Sequence, residues 1–243
     1  MPRDTVAARL HGLYDQLHAA YGPQGWWPVP SLARRRGFDS HGYHPELFDQ
    51  PRAAAGRFEV IMGAVLTQNT AWTNAAAALA RLRESGVRIP SDVIALPQGR
   101  LAVLVRSSGY FNQKAKKLKT IASLFAGRAA LGPSAAPSRD TLLRSWGIGP
   151  ETADSILLYA FHVPVFVVDA YTRRILSRIG LLAGGEGYEK IQGLFHRSLR
   201  RRAPLFNEYH ALIVQHAKMH CRARPQCAAC PVKPCRWRDS PRS

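Results

Sequence analysis

The sequence lacks long apolar stretches and has few cysteines, and both shortages exclude classes of protein. No segment approaches the ~20 apolar residues that a membrane span requires, so we expect no membrane association. The first residues, MPRDTVAARLHGLYDQL, carry charges in every turn and no apolar segment of signal-peptide length, which predicts a cytoplasmic protein. All four cysteines lie between 221 and 235, and in an intracellular chain this clustering favours a metal site over disulfides.

Acidic residues are also scarce. The chain has 16 Asp and Glu against 34 Lys and Arg, a net charge of +18 that is spread along the sequence. A surface of this sign attracts polyanions, and nucleic acid is the commonest of them. Ribosome-associated proteins, membrane-surface proteins and basic enzymes share this balance, so charge indicates a nucleic-acid partner without deciding it.

Patterns typical of β-strands are nearly absent. Alternation of period two occurs only in VPVFVV at 163–168, whereas most of the chain has apolar residues at helical spacing between Gly and Pro positions. We therefore predict an all-α fold, and 243 residues with 46% hydrophobic content suffice for one large domain or two lobes. The predicted helices cover about 5–20, 56–67, 70–84, 100–107, 111–126, 138–146, 150–161, 169–180, 187–202 and 207–220.

Two loops interrupt the helical pattern. The first runs from Gly22 to Pro45 and carries two adjacent tryptophans, Trp26 and Trp27. Loops of this length are usually functional or mobile, so it is a candidate for a substrate site. The second, residues 127–138, is rich in small residues and is predicted to be a connector.

The segment 139–161 predicts two helices joined by a tight turn at Gly147-Ile148-Gly149. Glycines permit positive φ and leave backbone N–H groups uncovered, and Pro150 fits the first position of the second helix. Exposed amides at a helix N-terminus bind anions, and DNA phosphate is the natural anion for so basic a chain. An ordinary helix–turn–helix connection remains an alternative interpretation of this segment.

An acidic residue, Asp169, follows the apolar run 163–168 directly. It lies at the predicted N-terminus of the helix 169–180. An Asp at this position is either an N-cap, which accepts hydrogen bonds from the first turn, or a functional carboxylate.

The GIG hairpin, the segment VVDAYTRRIL about twenty residues later and the four-cysteine tail together resemble the endonuclease III branch of the helix-hairpin-helix DNA glycosylases, over nearly the whole chain. The resemblance implies that Asp169 is the essential carboxylate and that a monomer acts on damaged double-stranded DNA. It also implies two helical lobes. They are a six-helix barrel lobe at 51–163, which includes the hairpin, and a cluster lobe made of 1–50 and 164–243.

Glu151 departs from the pattern of the bifunctional family members. Those members have a Lys two residues after the last hairpin glycine, and its amine forms a Schiff base that leads to strand cleavage. A carboxylate cannot form that imine, so we expect base removal without efficient strand scission. Glu151 also suits the first turn of a helix electrostatically, which is a purely structural interpretation.

Excision by such an enzyme requires the nucleotide to be flipped out of the duplex and the gap to be filled. The resemblance assigns this role to Gln68, in GAVLTQNTAWTN, and to Tyr110 with Phe111 beside it. Lys114 begins a series of lysines on the following helix, and we predict a phosphate contact there. The other three are Lys116, Lys117 and Lys119, and a solvated helix face is the alternative for all four.

Several segments resemble the bacterial 3-methyladenine DNA glycosylase III group more closely: WWP at 26–28, GAVLTQNT, YFNQKAKKL, GIGPETADSILLYA and VVDAY. Members of that group hold a methylated purine between aromatic side chains. The matching positions here are Trp26, Trp27, Pro28 and Trp72. Cationic alkylated purines bind aromatic faces with about 0.5–2 kcal/mol per contact, although tryptophans that merely cover the core remain an alternative.

The cysteine tail has the spacing Cys221-x5-Cys227-x2-Cys230-x4-Cys235. Four thiolates at this spacing suit either tetrahedral Zn²⁺ or an iron-sulfur cluster. The resemblance to endonuclease III implies a [4Fe-4S] cluster, although the first and last gaps are each one residue shorter than in that family. Because four thiolates complete the site, we interpret the nearby His216 and His220 as helix-face residues.

The sequence thus predicts a monofunctional DNA glycosylase that hydrolyses the glycosidic bond of alkylated purines such as 3-methyladenine, with Asp169 as catalytic residue. One alternative is a mismatch or oxidised-pyrimidine glycosylase on the same scaffold. Another is an active lyase that uses a different amine, such as Lys114. A third, from a different class, is a non-catalytic DNA-binding module with a structural metal site.

Overall fold

The computed structural model describes residues 5–126 and 131–239, and these residues contain helices but no β-strand. The predicted all-α fold is therefore confirmed, and the apolar run 163–168 is extended without pairing into a sheet. Residues 127–130 of the predicted connector lie outside the described residues. The helices are α1 (Val6–Tyr21), α2 (Ala54–Leu66), α3 (Trp72–Glu84), α4 (Pro90–Ala95), α5 (Gln98–Leu104), α6 (Phe111–Phe125), α7 (Arg139–Leu143), α8 (Pro150–Ser155), α9 (Ala170–Arg178), α10 (Tyr188–Ser198), α11 (Ala203–Met219) and α12 (Arg236–Asp239).

The chain divides into two compact units. A terminal unit consists of Met1–Trp26 and Pro164–Ser243, and a central unit consists of Trp27–Val163. Residues 27–50 therefore lie in the central unit, whereas we expected them in the lobe formed by the chain termini. A hydrogen bond ties this segment to the central unit, because Glu59 on α2 accepts from Ser31 N at 3.1 Å. Within the segment, His44 Nε2 lies 3.0 Å from Trp27 O.

The core of the central unit is built around α2. Every residue from Gly56 to Leu66 is buried, so this helix is covered on all sides. The chain continues from α8 into a π-helical turn, Ile156–Ala160, whose residues are also buried and which packs on α2. Helix α6 packs on α4 and α5, and its buried residues include Leu118 and Ile121.

The terminal unit is organised by α11, which contacts α1 and α9. Residues 206–214 of α11 are all buried, and Tyr209 donates its hydroxyl hydrogen bond to Leu10 O on α1 at 2.7 Å. A helix this thoroughly covered can hold polar side chains rigidly, provided that each has a partner. Among the described residues, no helix combines the length and the apolar character that crossing a bilayer requires.

Candidate functional site

Asp169 is the N-cap of α9. Its backbone is extended (φ −105°, ψ −177°), and Oδ1 accepts from Thr172 N at 2.7 Å and from Thr172 Oγ1 at 2.8 Å. These two bonds occupy one carboxylate oxygen and leave Oδ2 for other partners. Asp169 is therefore an N-cap, as one of the two interpretations predicted. Only Oδ1 serves the cap, so Oδ2 is left for a second role.

The partner on the other side of Asp169 is His210, from the buried face of α11. His210 Nε2 lies 3.6 Å from Asp169 Oδ2, slightly longer than a hydrogen bond, and the two side chains are only 5% and 12% exposed. Burial alone would raise the pKa of Asp169, but His210 and the two donors of Thr172 outweigh it and hold the pKa below its usual value. Asp169 is consequently a carboxylate that stays ionised although it is largely shielded from water.

The same face of α11 holds the loop that carries Trp26. Asn207 Nδ2 donates to Trp26 O at 2.8 Å, and the buried carboxylate of Glu208 accepts from Gln24 N at 2.7 Å. The Trp26 ring meets the His210 ring edge-on, with centroids 5.8 Å apart. Lys218, two turns further along α11, has Nζ 5.9 Å from the centre of the Trp26 ring. Trp26 is thus fixed beside the partner of Asp169.

The other predicted pocket residues belong to the central unit, and they differ in exposure. Trp27 is 6% exposed, lies against Gly63 and packs on Tyr159 with ring centroids 5.1 Å apart. Pro28 is buried as well, whereas Trp72, edge-on to Trp27 at 5.5 Å, is partly exposed. Trp27 therefore has the environment of a core residue, and Trp26 and Trp72 are the tryptophans of this set with accessible surface.

The predicted hairpin is present between α7 and α8. Gly147 has φ +78°, and a Cβ there would lie 2.6 Å from the Lys117 side chain, so both backbone conformation and space require glycine. Ile148 is 5% exposed and its N–H bonds to Ser145 O at 3.1 Å, so it anchors the turn from inside. Gly147 and Gly149 are exposed, and they provide the surface that can approach a phosphate.

Gln68 is tied to this hairpin by its side chain. Its Nε2 donates to Thr152 Oγ1 at 2.8 Å and to Gly147 O at 3.2 Å, while its Oε1 accepts from Lys117 Nζ at 2.5 Å. The next residue, Asn69, has φ +53°, a left-handed conformation that is uncommon for residues other than glycine. The turn after α2 is therefore held in a defined and locally strained geometry.

Tyr110 lies on a second strained turn. It is 68% exposed and has left-handed backbone angles (φ 44°, ψ 37°) immediately before α6, while Phe111 begins that helix and is partly buried. Such a conformation costs about 1–3 kcal/mol and persists only where its surroundings impose it. A cavity of about 240 Å³ separates the two turns, and it is lined by Gln68, Asn69, Tyr110, Gln113, Lys114 and Lys117.

Lys114 does not have the surface position that we predicted. It is 2% exposed, and its ammonium donates to Leu66 O at 2.8 Å and to Ser108 O at 2.6 Å. Burial lowers its pKa to about 8. The prediction that Lys114 contacts DNA phosphate is wrong, because both of its hydrogen bonds are made to buried carbonyls inside the central unit.

Glu151 occupies the first turn of α8 and is exposed. A negative charge at this end of a helix is favourable, in agreement with the structural interpretation. The residue that follows Glu151 is Thr152, the partner of Gln68. The position that would carry a lyase amine is thus a carboxylate on the surface of the hairpin.

The four cysteine thiols line one largely apolar cavity of the terminal unit, together with residues such as Ile175, Ile179 and Val232. The Arg178 guanidinium donates to Cys221 Sγ at 3.3 Å. Across 5–126 and 131–239, no group of three or more His, Cys, Asp or Glu side chains is arranged to hold a metal ion. His216, which we placed on a helix face, is 2% exposed, and its Nε2 lies 3.8 Å from Cys230 Sγ.

The sequence analysis missed the polar residues that serve these sites from within α11. The sequence of α11 is mostly apolar, and its polar residues Asn207, Glu208 and His210 belong to no motif. Their one signal is three polar residues within four positions of a helix whose remaining positions from 206 to 214 are apolar or aromatic. Buried polar groups need partners, so such a cluster indicates a network of hydrogen bonds to other parts of the chain.

Comparison with known families and proteins agrees with this geometry. The model of the HhH-GPD superfamily base excision DNA repair proteins matches residues 62–201, more than half of the chain. A candidate DNA repair glycosylase of Methanocaldococcus jannaschii is 35% identical over 231 residues, covering 92% of this chain and 94% of that protein. Endonuclease III of Sulfolobus acidocaldarius is 29% identical over 179 residues, with 72% and 79% covered.

Two solved structures have similar folds. One is H. pylori 3-methyladenine DNA glycosylase bound to 1,N6-ethenoadenine, with a TM-score of 0.67, 26% identity and coverage of 88% of this chain and 97% of that one. The other is a trapped covalent intermediate of endonuclease III with DNA, with a TM-score of 0.74, 21% identity and coverage of 95% and 96%. The family match and the archaeal relative lead to one conclusion. This chain belongs to the HhH-GPD superfamily of base excision DNA repair proteins, and it is a DNA glycosylase.

Proposed function

We propose that this DNA glycosylase removes alkylated purines by hydrolysis and leaves the DNA strand intact. The proposal rests on the identity of the residues at two separate positions, both of which are carboxylates. Asp169 is kept ionised by His210 and Thr172, and Glu151 stands where a lyase would have its amine. The first carboxylate supports hydrolysis of a glycosidic bond, and the second removes the nucleophile for strand cleavage.

The chemical step follows from the charge of Asp169. The bond between the sugar C1′ and the purine nitrogen breaks, and its electron pair passes to the base. Positive charge develops on the sugar, where an anionic carboxylate stabilises it. A water oxygen then bonds to C1′, and the proton it loses is accepted by Asp169 or by solvent. No amine takes part, so the product is an abasic site in an unbroken strand.

A positively charged base suits the surroundings of Asp169. N3- and N7-alkylated purines carry a positive charge that weakens their glycosidic bond, so a strong general acid is not needed to expel them. Trp26 is partly exposed and lies beside His210, and cations bind aromatic faces with about 0.5–2 kcal/mol. The similarity to the H. pylori enzyme, whose structure holds a modified adenine, supports the same substrate class.

The four cysteines support a [4Fe-4S] cluster as a bound group. The four cysteines line a single cavity of the terminal unit, and four thiolates at this spacing are a ligand set that such a cluster takes. Cys221, Cys227, Cys230 and Cys235 are the residues that would hold it. When bound, the cluster would cross-link Cys221, two residues after the end of α11, to the three cysteines that follow it, and the excision reaction requires no electron from it. Arg178, hydrogen bonded to Cys221, matches the negative charge of such thiolates.

Chromatography of the bases released from methylated and from oxidised DNA tests the substrate. We expect 3-methyladenine or 7-methylguanine in the first reaction and no pyrimidine in the second. Release of oxidised or mismatched pyrimidines without methylated purines would select the second candidate, which is favoured by relatives such as the endonuclease III of Sulfolobus acidocaldarius. If Asp169→Asn and wild type process damaged DNA equally, a non-catalytic binding module becomes the better account.

Elemental analysis of the purified protein tests the cluster. We expect about four iron atoms and four acid-labile sulfides per chain, with visible absorption that is lost when Cys230 is changed to Ser. One zinc atom per chain without sulfide would contradict the cluster and support the tetrahedral alternative.

A further inference from the structure

Two turns of the central unit carry the residues predicted to enter the DNA duplex. One follows α2 and contains Gln68 and Asn69, and the other precedes α6 and contains Tyr110. Asn69 and Tyr110 both have left-handed backbone conformations, with φ of +53° and +44°. Since neither is glycine, the neighbouring structure must impose these conformations on both turns.

The Lys114 ammonium is bonded to both turns at equivalent points. It donates to Leu66 O, two residues before Gln68, and to Ser108 O, two residues before Tyr110. Both bonds are buried and the cation supplies charge-assisted donors, so they are stronger than typical hydrogen bonds. Removing the ammonium would leave two buried carbonyls without this donor, and a buried group left unsatisfied is destabilising.

A second lysine completes the arrangement one helical turn later. Lys117 Nζ donates to Gln68 Oε1, and its methylene groups cover Gly147 of the hairpin. Lys114 therefore fixes the backbone of the two turns, while Lys117 fixes the orientation of one side chain. Both side chains border the cavity of about 240 Å³ that separates Gln68 from Tyr110.

We propose that Lys114 is a positioning residue, which sets the spacing between the Gln68 and Tyr110 turns so that both enter the duplex together. This inference rests on the assignment of the chain as a glycosylase but not on which base it removes. The lysine does not touch DNA. Its contribution is to keep two strained turns ordered before DNA binds. The free energy of base flipping then does not include the cost of ordering these turns.

Lys119 offers a matched control on the same helix. Its ammonium also donates to two carbonyls, those of Ile94 and Leu96, which lie at the end of α4. Lys114→Met and Lys119→Met thus remove the same chemical group and two hydrogen bonds to carbonyls each. The bonds of Lys119 lie nearer the surface, and only the first substitution affects the two turns. Lys114→Gln, which retains a neutral N–H donor, covers the case in which the methionine variant does not fold.

The experiment measures DNA opening on a duplex that contains a stable abasic analogue, with the fluorescent base 2-aminopurine opposite the analogue. We expect the fluorescence change on binding to slow by roughly tenfold in Lys114→Met, and by less in Lys114→Gln, because small misplacements of positioned groups have large kinetic effects. Lys119→Met should match wild type, and affinity for undamaged duplex should be retained by all three variants.

Two results would overturn the proposal. One is unchanged opening in the folded Lys114 variants, and the other is an equal loss in Lys119→Met. Because the duplex contains an abasic analogue, a wrong substrate assignment would leave this measurement intact and would appear only in the base-release assay.

Discussion

The surroundings of Asp169 and the turns around Gln68 and Tyr110 are built in opposite ways. Asp169 has an ordinary extended backbone, and its side chain is fixed by Thr172 and His210. Tyr110 has a left-handed backbone and a largely exposed side chain. The Asp169 carboxylate is thus positioned by contacts to its side-chain oxygens, whereas the Tyr110 turn is positioned by the conformation of its main chain.

This difference separates two functions that a glycosylase must perform. A charged group that stabilises a transition state gains from low solvent exposure and fixed partners, because its field is then stronger. A residue that enters a duplex must remain on the surface, so its rigidity has to come from the backbone beneath it. Substitutions near Asp169 should therefore affect the chemical step, and substitutions near the turns should affect extrusion of the base.

The largest effect is expected from Asp169→Asn. The amide keeps an oxygen that can accept from Thr172 N, so α9 retains its cap while the negative charge is lost. The single-turnover excision rate should fall on the order of 10³-fold with DNA affinity unchanged. Parallel loss of affinity would show that this carboxylate serves binding as well as chemistry.

A smaller effect, confined to the other region, is expected from Tyr110→Ala. The exposed ring is lost and the core is untouched, so excision from a fully paired duplex should slow by roughly tenfold. Because unstacking costs less at a mismatch, the defect should shrink when the lesion is mispaired. An equal defect on paired and mispaired substrates would show that Tyr110 does not contribute to extrusion of the base.

His210→Gln tests how Asp169 is positioned. Glutamine retains a donor near Asp169 Oδ2 but lacks the ring that meets Trp26, so we expect a loss of roughly threefold to tenfold in the single-turnover rate. His210→Ala should be slower than His210→Gln, with similar DNA affinity for both. If the two variants are equally impaired, the contact with Asp169 is not what His210 contributes.

Glu151→Lys changes the outcome of the reaction more than its rate. The new amine stands at the first turn of α8, where the bifunctional relatives have theirs, and an amine can form a Schiff base with the opened sugar. Borohydride should then trap a covalent complex with abasic DNA that wild type does not form. A trapped complex with the wild-type protein would reveal another reactive amine.

The sequence predicted the helical fold and the main helices because their apolar periodicity is strong. It missed α4, which has only six residues, begins at Pro90 and is capped by Asp92 accepting from Arg88 N and Ile89 N. It also began α11 at 207, whereas Pro204 in the first turn allows the helix to start at Ala203. Short helices and helix ends depend on local hydrogen bonds that periodicity does not contain.

Motifs indicated the hairpin glycines and the N-cap position of Asp169, because both follow from local backbone requirements. They failed for Lys114, since a lysine within a lysine-rich helix gives no sign that its ammonium is buried against Leu66 and Ser108. His210 was missed for a similar reason, because its partner lies 41 positions away in the sequence. Long-range partners of single polar side chains require the fold.

One reaction tests the central claim most directly. A duplex with a single alkylated purine is incubated with the wild-type protein, and released base and strand breaks are measured in the same sample before and after alkali. We predict stoichiometric release of the purine, an intact strand at neutral pH and cleavage only after alkali. Strand breaks that accompany base release without alkali, or an alkylated purine that stays in place, would contradict the account.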